Sequence, residues 1–160
     1  MILTKGLRRV FSGATDAVNG LVLADDGSRL FAASSDKKVY SWRVPAEGGA
    51  DDVPPSGSFS HAAIVRAVST NADGSRLAAV GDDKLVTVWD AASGLMLEQL
   101  SGHAEAVLDV ALSADGTTLV SGSTDKTARW WQLAAQQVVQ ADATRLLGFA
   151  VNADGTEFVD

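Results

Sequence analysis

Ser121, His103 and Asp125 are the residue types of a hydrolytic triad, and all three fall in one stretch, Gly102 to Gln132, which reads GHAEAVLDVALSADGTTLVSGSTDKTARWWQ. A serine beside a carboxylate-held histidine can act as a nucleophile. No G-x-S-x-G elbow surrounds Ser121, however. The competing reading is a hydrogen-bonded group that ties strands together, and it prevails because two other stretches keep part of the pattern without the serine. Asp25-Asp26 and Asp82-Asp83 are adjacent carboxylates, but neighbours in sequence do not make a metal site, and no EF-hand spacing is present. Turn and capping roles suit them better. His61 and His103 sit at equivalent places in separate stretches, which argues against a shared metal. No glycine motif has phosphate-loop spacing, and the absence of cysteine excludes disulfides, thiolate chemistry and Cys-based zinc sites. The expectation is a chain without metal, cofactor or catalytic centre.

The elements behind these residues form a repeat. Gly116 lies thirteen residues after His103, Asp125 nine after Gly116, and Trp131 fifteen after Gly116. The same offsets join His61, Gly74, Asp83 and Trp89, and they join Gly27, Asp36 and Trp42. Asp-Gly pairs at 26–27, 73–74, 115–116 and 154–155 give glycine spacings of 47, 42 and 39. A period of about 40 to 45 residues is that of a four-stranded propeller blade. Asp-Gly between β-rich runs marks a hairpin, because glycine accepts the positive φ of a tight turn.

The run before each turn has its large residues three and then two apart: Val18, Leu21, Leu23; Val65, Val68, Thr70; Val107, Val110, Leu112; Leu146, Phe149, Val151. A regular strand alternates by two, so the step of three predicts a β-bulge. The runs after the turns, RLFAAS, RLAAVG and TLVSGS, are small and apolar at nearly every position, as a strand covered on both faces is. A polar turn and a third strand ending in Trp follow. Fourth strands are expected at LMLEQL (95–100), at QQVVQ (136–140) and near Phe59. The segment from Arg43 to Ser56, with Pro45, Pro54 and Pro55, reads as a surface excursion. Trp130 takes the place of Val88 and Ser41, so alternation turns it to the face opposite Trp131, toward an adjacent blade.

The hydrophobic fraction of 46% with 21% charged residues is that of an ordinary globular chain. The net charge of -7 argues against nucleic acid as a main partner, because such binding rests on Lys and Arg neutralising phosphates. No apolar run approaches the roughly 20 residues of a membrane helix. The start lacks the apolar segment of a signal peptide, so a cytoplasmic protein is expected if Met1 is the natural start.

The order GH, apolar strand, SADG, SGSTD and a closing Trp resembles the WD-repeat β-propeller family, along essentially the whole chain. The match is strongest in the third unit and good in the second, which holds the Trp89-Asp90 pair. In the first, Gly13-Ala14 replaces Gly-His and Trp42-Arg43 replaces Trp-Asp. The resemblance implies an all-β chain: a β-propeller of four-stranded antiparallel blades, incomplete here. Its parts are the outer strand of a preceding blade (1–13), blade 1 (14–60, with loop 43–56), blade 2 (61–102), blade 3 (103–141) and two strands of blade 4 (142–160).

The resemblance also implies a buried His–Ser/Thr–Asp–Trp tetrad. It would be His103, Ser121, Asp125 and Trp131 in the third unit, and His61, Asp83 and Trp89 with Ala79 in the second. The first unit keeps only Asp36 and Trp42, beside Ala14 and Ala32. The implied function is a non-catalytic scaffold for protein partners. Partner contacts are implied at Asn19, Arg66, Leu108 and Arg145, beside the first-strand apolar position, and at Ser35, Asp82 and Thr124, before the turn Asp. Three full units cannot close a ring, since propellers close with about 4 to 8 blades. The favoured reading is a piece of a longer propeller. The alternatives are a homodimer that closes a ring through its open edges, and a propeller-based hydrolase.

Overall fold

A computed structural model describes residues 9–45, 51–135, 150–151 and 157–158. The strands are β1 (Val10–Phe11), β2 (Val18–Leu23), β3 (Arg29–Ser34), β4 (Lys38–Arg43), β5 (Asp52–Val53), β6 (Gly57–Ser60), β7 (Val65–Thr70), β8 (Arg76–Gly81), β9 (Val86–Asp90), β10 (Met96–Leu100), β11 (Val107–Leu112), β12 (Thr118–Ser123), β13 (Ala128–Gln132), β14 (Ala150–Val151) and β15 (Glu157–Phe158). No helix occurs among the described residues. The strands form antiparallel sheets of order β2-β3-β4-β6, β7-β8-β9-β10 and β11-β12-β13, with β14 paired to β15. The architecture is all-β, a partial propeller of successive antiparallel blades. The fourth strand expected at 136–140 lies outside the described residues.

Each inner hairpin turns on the Asp-Gly pair. Gly27, Gly74 and Gly116 have φ of 71°, 71° and 72°, which glycine adopts without steric cost. The Asp side chain closes the turn: Asp26, Asp73 and Asp115 each accept the N–H two residues on, from Ser28, Ser75 and Thr117. The Ser113 and Thr117 hydroxyls also donate to Asp115 and hold its pKa down at about 2. The second turns hold Lys37, Lys84 and Lys126 at φ of 70°, 67° and 70°.

The three-then-two spacing is a bulge in every first strand. The register shifts between Val18 and Gly20, between Val65 and Ala67, and between Val107 and Asp109. The bulge turns the two large residues on either side of the step to one face. Val65 and Val68 are buried on it, as are Val107 and Val110.

Consecutive sheets share cores through the alternation of the second and third strands. On β8, Leu77 and Ala79 join Phe31, Val39 and Phe59 of the sheet before, while Ala78 and Val80 join Val107, Val110 and Leu119 of the sheet after. On β9, Trp89 faces back while Val86 and Val88 face forward. This double covering is why β8 is buried at all six positions.

Two features depart from the expected arrangement. The N-terminal strand β1 does not lie alone: it pairs in parallel with β5, inside the excursion between Arg43 and Ser56. Phe11 and Val53 then cover Ala32, Tyr40 and Trp42, much as Phe59 meets Trp89 one unit on, at 5.8 Å between ring centres. Trp130 is 63% exposed, although its counterparts Ser41 and Val88 are buried.

Candidate functional site

The third unit holds its four polar residues in one chain of hydrogen bonds. The Trp131 indole N–H donates to Ser121 Oγ at 2.8 Å, and Ser121 Oγ lies 2.8 Å from His103 Nε2. His103 Nδ1 lies 2.8 Å from Asp125 Oδ2. A carboxylate only accepts, so the imidazole proton sits on Nδ1 and Nε2 accepts from the serine hydroxyl. Asp125 also accepts the Ala104 N–H and both the N–H and hydroxyl of Thr127. The Thr127 hydroxyl, opposed by burial and assisted by His103 and Ala104, holds the Asp125 carboxyl well below the usual carboxylate range. Ser121 is buried, and its oxygen already serves both Trp131 and His103. The group joins the loop before β11 to β12, the following turn and β13, and satisfied networks of this kind rigidify a core.

The second unit has the same residues less one. His61 Nδ1 lies 3.1 Å from Asp83 Oδ2, but Ala79 stands where the serine would be. Both His61 ring nitrogens lack a hydrogen-bond partner. The His61–Asp83 separation suits a hydrogen bond, but the alignment does not.

The first unit solves the same problem with other residues. Asp36 Oδ2 accepts the Thr15 N–H at 2.9 Å, the Thr15 hydroxyl at 3.0 Å and the Tyr40 hydroxyl at 2.8 Å. The Trp42 indole donates to the Ser12 carbonyl at 3.0 Å. Thr15 and Tyr40 were not legible as members of the group, because neither type stands at that place in the other units.

In the first two units the residues of the expected partner face come in hydrogen-bonded pairs. Asn19 donates to Ser35 Oγ at 3.0 Å and to the Val65 carbonyl of the next unit at 2.8 Å. Arg66 grips Asp82 with two bonds, of 2.7 and 2.8 Å; the Arg66 side chain is exposed and that of Asp82 partly so. In the third unit the corresponding residues are Leu108, 50% exposed, and Thr124, whose hydroxyl donates to the Ala106 carbonyl. Arg145 lies outside the described residues. Lys84 and Glu105, 4.0 Å apart, link the second and third units nearby.

A cleft of 630 Å³ opens between the first two sheets, with Arg29, Arg43 and Phe59 on its walls and no carboxylate among the described residues that line it. Arg29 spans the seam there: it donates to the Gly74 carbonyl at 3.3 Å and the Ala91 carbonyl at 2.9 Å. Arg76 repeats this one unit on, to Gly116 at 2.7 Å and Ala134 at 3.3 Å. Sequence reasoning missed both arginines, although each stands two residues after a turn glycine. Among the described residues no group of three His, Asp or Glu side chains is placed to hold a metal ion, and no helix is long and apolar enough to cross a membrane.

The family model described as "WD domain, G-beta repeat" matches residues 5–43, 54–90 and 94–132. The chain belongs to this WD-repeat family. It is 30% identical over 105 residues to the human U3 small nucleolar RNA-interacting protein 2, a match covering 59% of this chain and 21% of that protein. It is 30% identical over 90 residues to the small ribosomal subunit protein RACK1 of Saccharomyces cerevisiae (strain ATCC 204508 / S288c), covering 53% of this chain and 28% of that one. The chain thus spans only about a quarter of these curated relatives. WD-repeat proteins generally serve as interaction scaffolds.

Proposed function

We propose that this chain is a non-catalytic protein-interaction scaffold and works as part of a larger WD-repeat propeller. One observation carries the reading. The residues able to do chemistry are spent on structure inside the sheets, while paired side chains of mixed character repeat along one rim. Ser121, His103 and Asp125 satisfy one another beneath the surface. Asn19, Arg66 and Leu108 stand near the start of successive first strands and Ser35, Asp82 and Thr124 just past the end of the second strands, where a partner can reach them. The Arg66–Asp82 pair lies at the surface, where both charges stay within reach of a partner. Leu108, at the place of Arg66 one unit on, offers an exposed apolar side chain.

The test is affinity capture from an extract of the source cells with the wild-type chain and with an Arg66→Glu, Leu108→Ala variant. A protein held by the first and lost from the second supports the rim as docking surface. Equal retention by both removes the rim from consideration. One relative is named for interaction with RNA. On this chain the net charge of -7 opposes that use, and sensitivity of the captured complex to ribonuclease would reveal it.

A further inference from the structure

Arg29 and Arg43 stand directly opposite each other across the β3–β4 ladder. In the second unit the same two places hold Arg76 and Asp90, and in the third Thr118 and Gln132. Opposite charges at facing positions attract, whereas two cations there repel. The first unit therefore carries a strain that its neighbours avoid. Both arginines line the cleft between the first two sheets, and no carboxylate is among the described residues of its walls. In a chain of net charge -7 this is a local reversal of sign.

The two guanidinium groups differ in freedom. Arg29 is fixed by its bonds to the Gly74 and Ala91 carbonyls and lies 5.1 Å from the centre of the Phe31 ring. Those bonds use two of its five N–H donors. Arg43 is exposed and makes no hydrogen bond or ion pair among the described residues. Its counterpart Asp90 is turned to its own loop, where it accepts the Ala92 and Ser93 N–H groups, and it does not line the cleft. Two wall hydroxyls are also free to donate. Ser58 makes no side-chain hydrogen bond among the described residues. Ser93 Oγ accepts the Leu95 N–H, which leaves its O–H available.

We propose that this cleft binds the phosphate group of a small soluble phosphate ester, held between Arg29 and Arg43 with Ser58 and Ser93 as further donors. A carboxylate has two oxygens in one plane, and a single guanidinium satisfies both. A phosphate ester presents three acceptor oxygens in different directions, so it can take donors from both arginines and from the hydroxyls. The bound anion turns a repelling pair into two attracting ones. A cleft of 630 Å³ is of the size that holds a small molecule.

Titration of the full chain, followed by its backbone amide NMR signals at constant ionic strength, tests the proposal. The probes are glycerol 3-phosphate, inorganic phosphate and acetate. The samples are wild type, Arg43→Gln and Lys38→Gln. Lys38 is an exposed cation at the other end of the same strand, away from the cleft walls. Both side chains are exposed, so both variants keep the fold, which the dispersion of the same spectra verifies. Glycerol 3-phosphate and phosphate are expected to shift the Ser58 and Ser93 signals saturably, and acetate to leave them in place. Arg43→Gln should weaken binding about tenfold, as loss of a charge-assisted hydrogen bond warrants, and Lys38→Gln should not. The absence of a saturable shift would overturn the proposal. Equal weakening by both variants, or acetate binding as well as the ester, would reduce the cleft to a general attraction for anions and overturn it too. Binding of phosphate without the ester would show that the site has no room for the rest of the molecule, which is equally fatal.

Discussion

His61 and Asp83 approach to 3.1 Å inside the second unit, yet neither His61 nitrogen has a hydrogen-bond partner. One unit on, Ser121 supplies the missing link between His103 and Trp131. Ala79→Ser should restore it for His61 and Trp89. The expected gain is about 1 kcal/mol, the net worth of a buried hydrogen bond. A higher urea midpoint at unchanged slope would show it, whereas a lower midpoint would mean that the second unit has no room for the hydroxyl.

Removing the same hydroxyl from the third unit should do the reverse. Ser121→Ala leaves the Trp131 indole and His103 Nε2 without their partner in a buried place. The expected loss is about 1–3 kcal/mol. A variant as stable as the wild type would show that the tetrad contributes nothing.

Stability should fall as the solution is acidified, in two stages. Burial pushes the His61 pKa down, against the opposing pull of Asp83. The unfolded chain therefore takes up this proton first, near the ordinary histidine value of about 6.5. The contribution of neutral His61 is complete above that pH and drains away as the pH drops toward the lower folded value. The second stage belongs to carboxylates. Asp36 is raised by burial but lowered more by Thr15 and Tyr40, and Asp125 is lowered by Thr127 and His103. Their share is present above the unfolded value of about 4 and is lost below it. Urea midpoints measured from pH 8 to pH 3 should show both stages, and His61→Ala should flatten the first.

Gly81 occupies the place that Ser34 and Ser123 hold in the neighbouring units. Copying the serine there is expected to harm the protein. A Cβ on Gly81 would run into the Ile64 carbonyl and crowd the Val65 backbone. Gly81→Ser should cost about 1–3 kcal/mol, as overpacking does. Thermal melting at or above the wild-type temperature would refute the clash.

The repeat, its turns and its bulges were legible because each rests on a local rule that the chain obeys three times over. Gly27, Gly74 and Gly116 sit where a positive φ is required, and the step from Val65 to Val68 cannot fit a regular strand. The third-unit tetrad came from the family resemblance and not from such a rule, since only that unit holds all four residue types. What escaped was held together by contacts with no fixed spacing. Tyr40 and Thr15 reach Asp36 from a strand and a loop that carry other residues elsewhere. The pairing of Val10–Phe11 with Asp52–Val53 depends on an excursion only the first unit has. Arg29 and Arg76 did recur at a fixed spacing, but their partners are carbonyls, which every residue carries and no sequence pattern marks.

Because β8 gives Leu77 and Ala79 to one core and Ala78 and Val80 to the next, no repeat owns the core that steadies it. Among the described residues the middle repeat packs against a full sheet on both flanks and the first and third repeats against a full sheet on one, so resistance to opening is graded along the described chain. Amide hydrogens of Leu77–Val80 should exchange last, and a protease should erode the chain from its flanks inward.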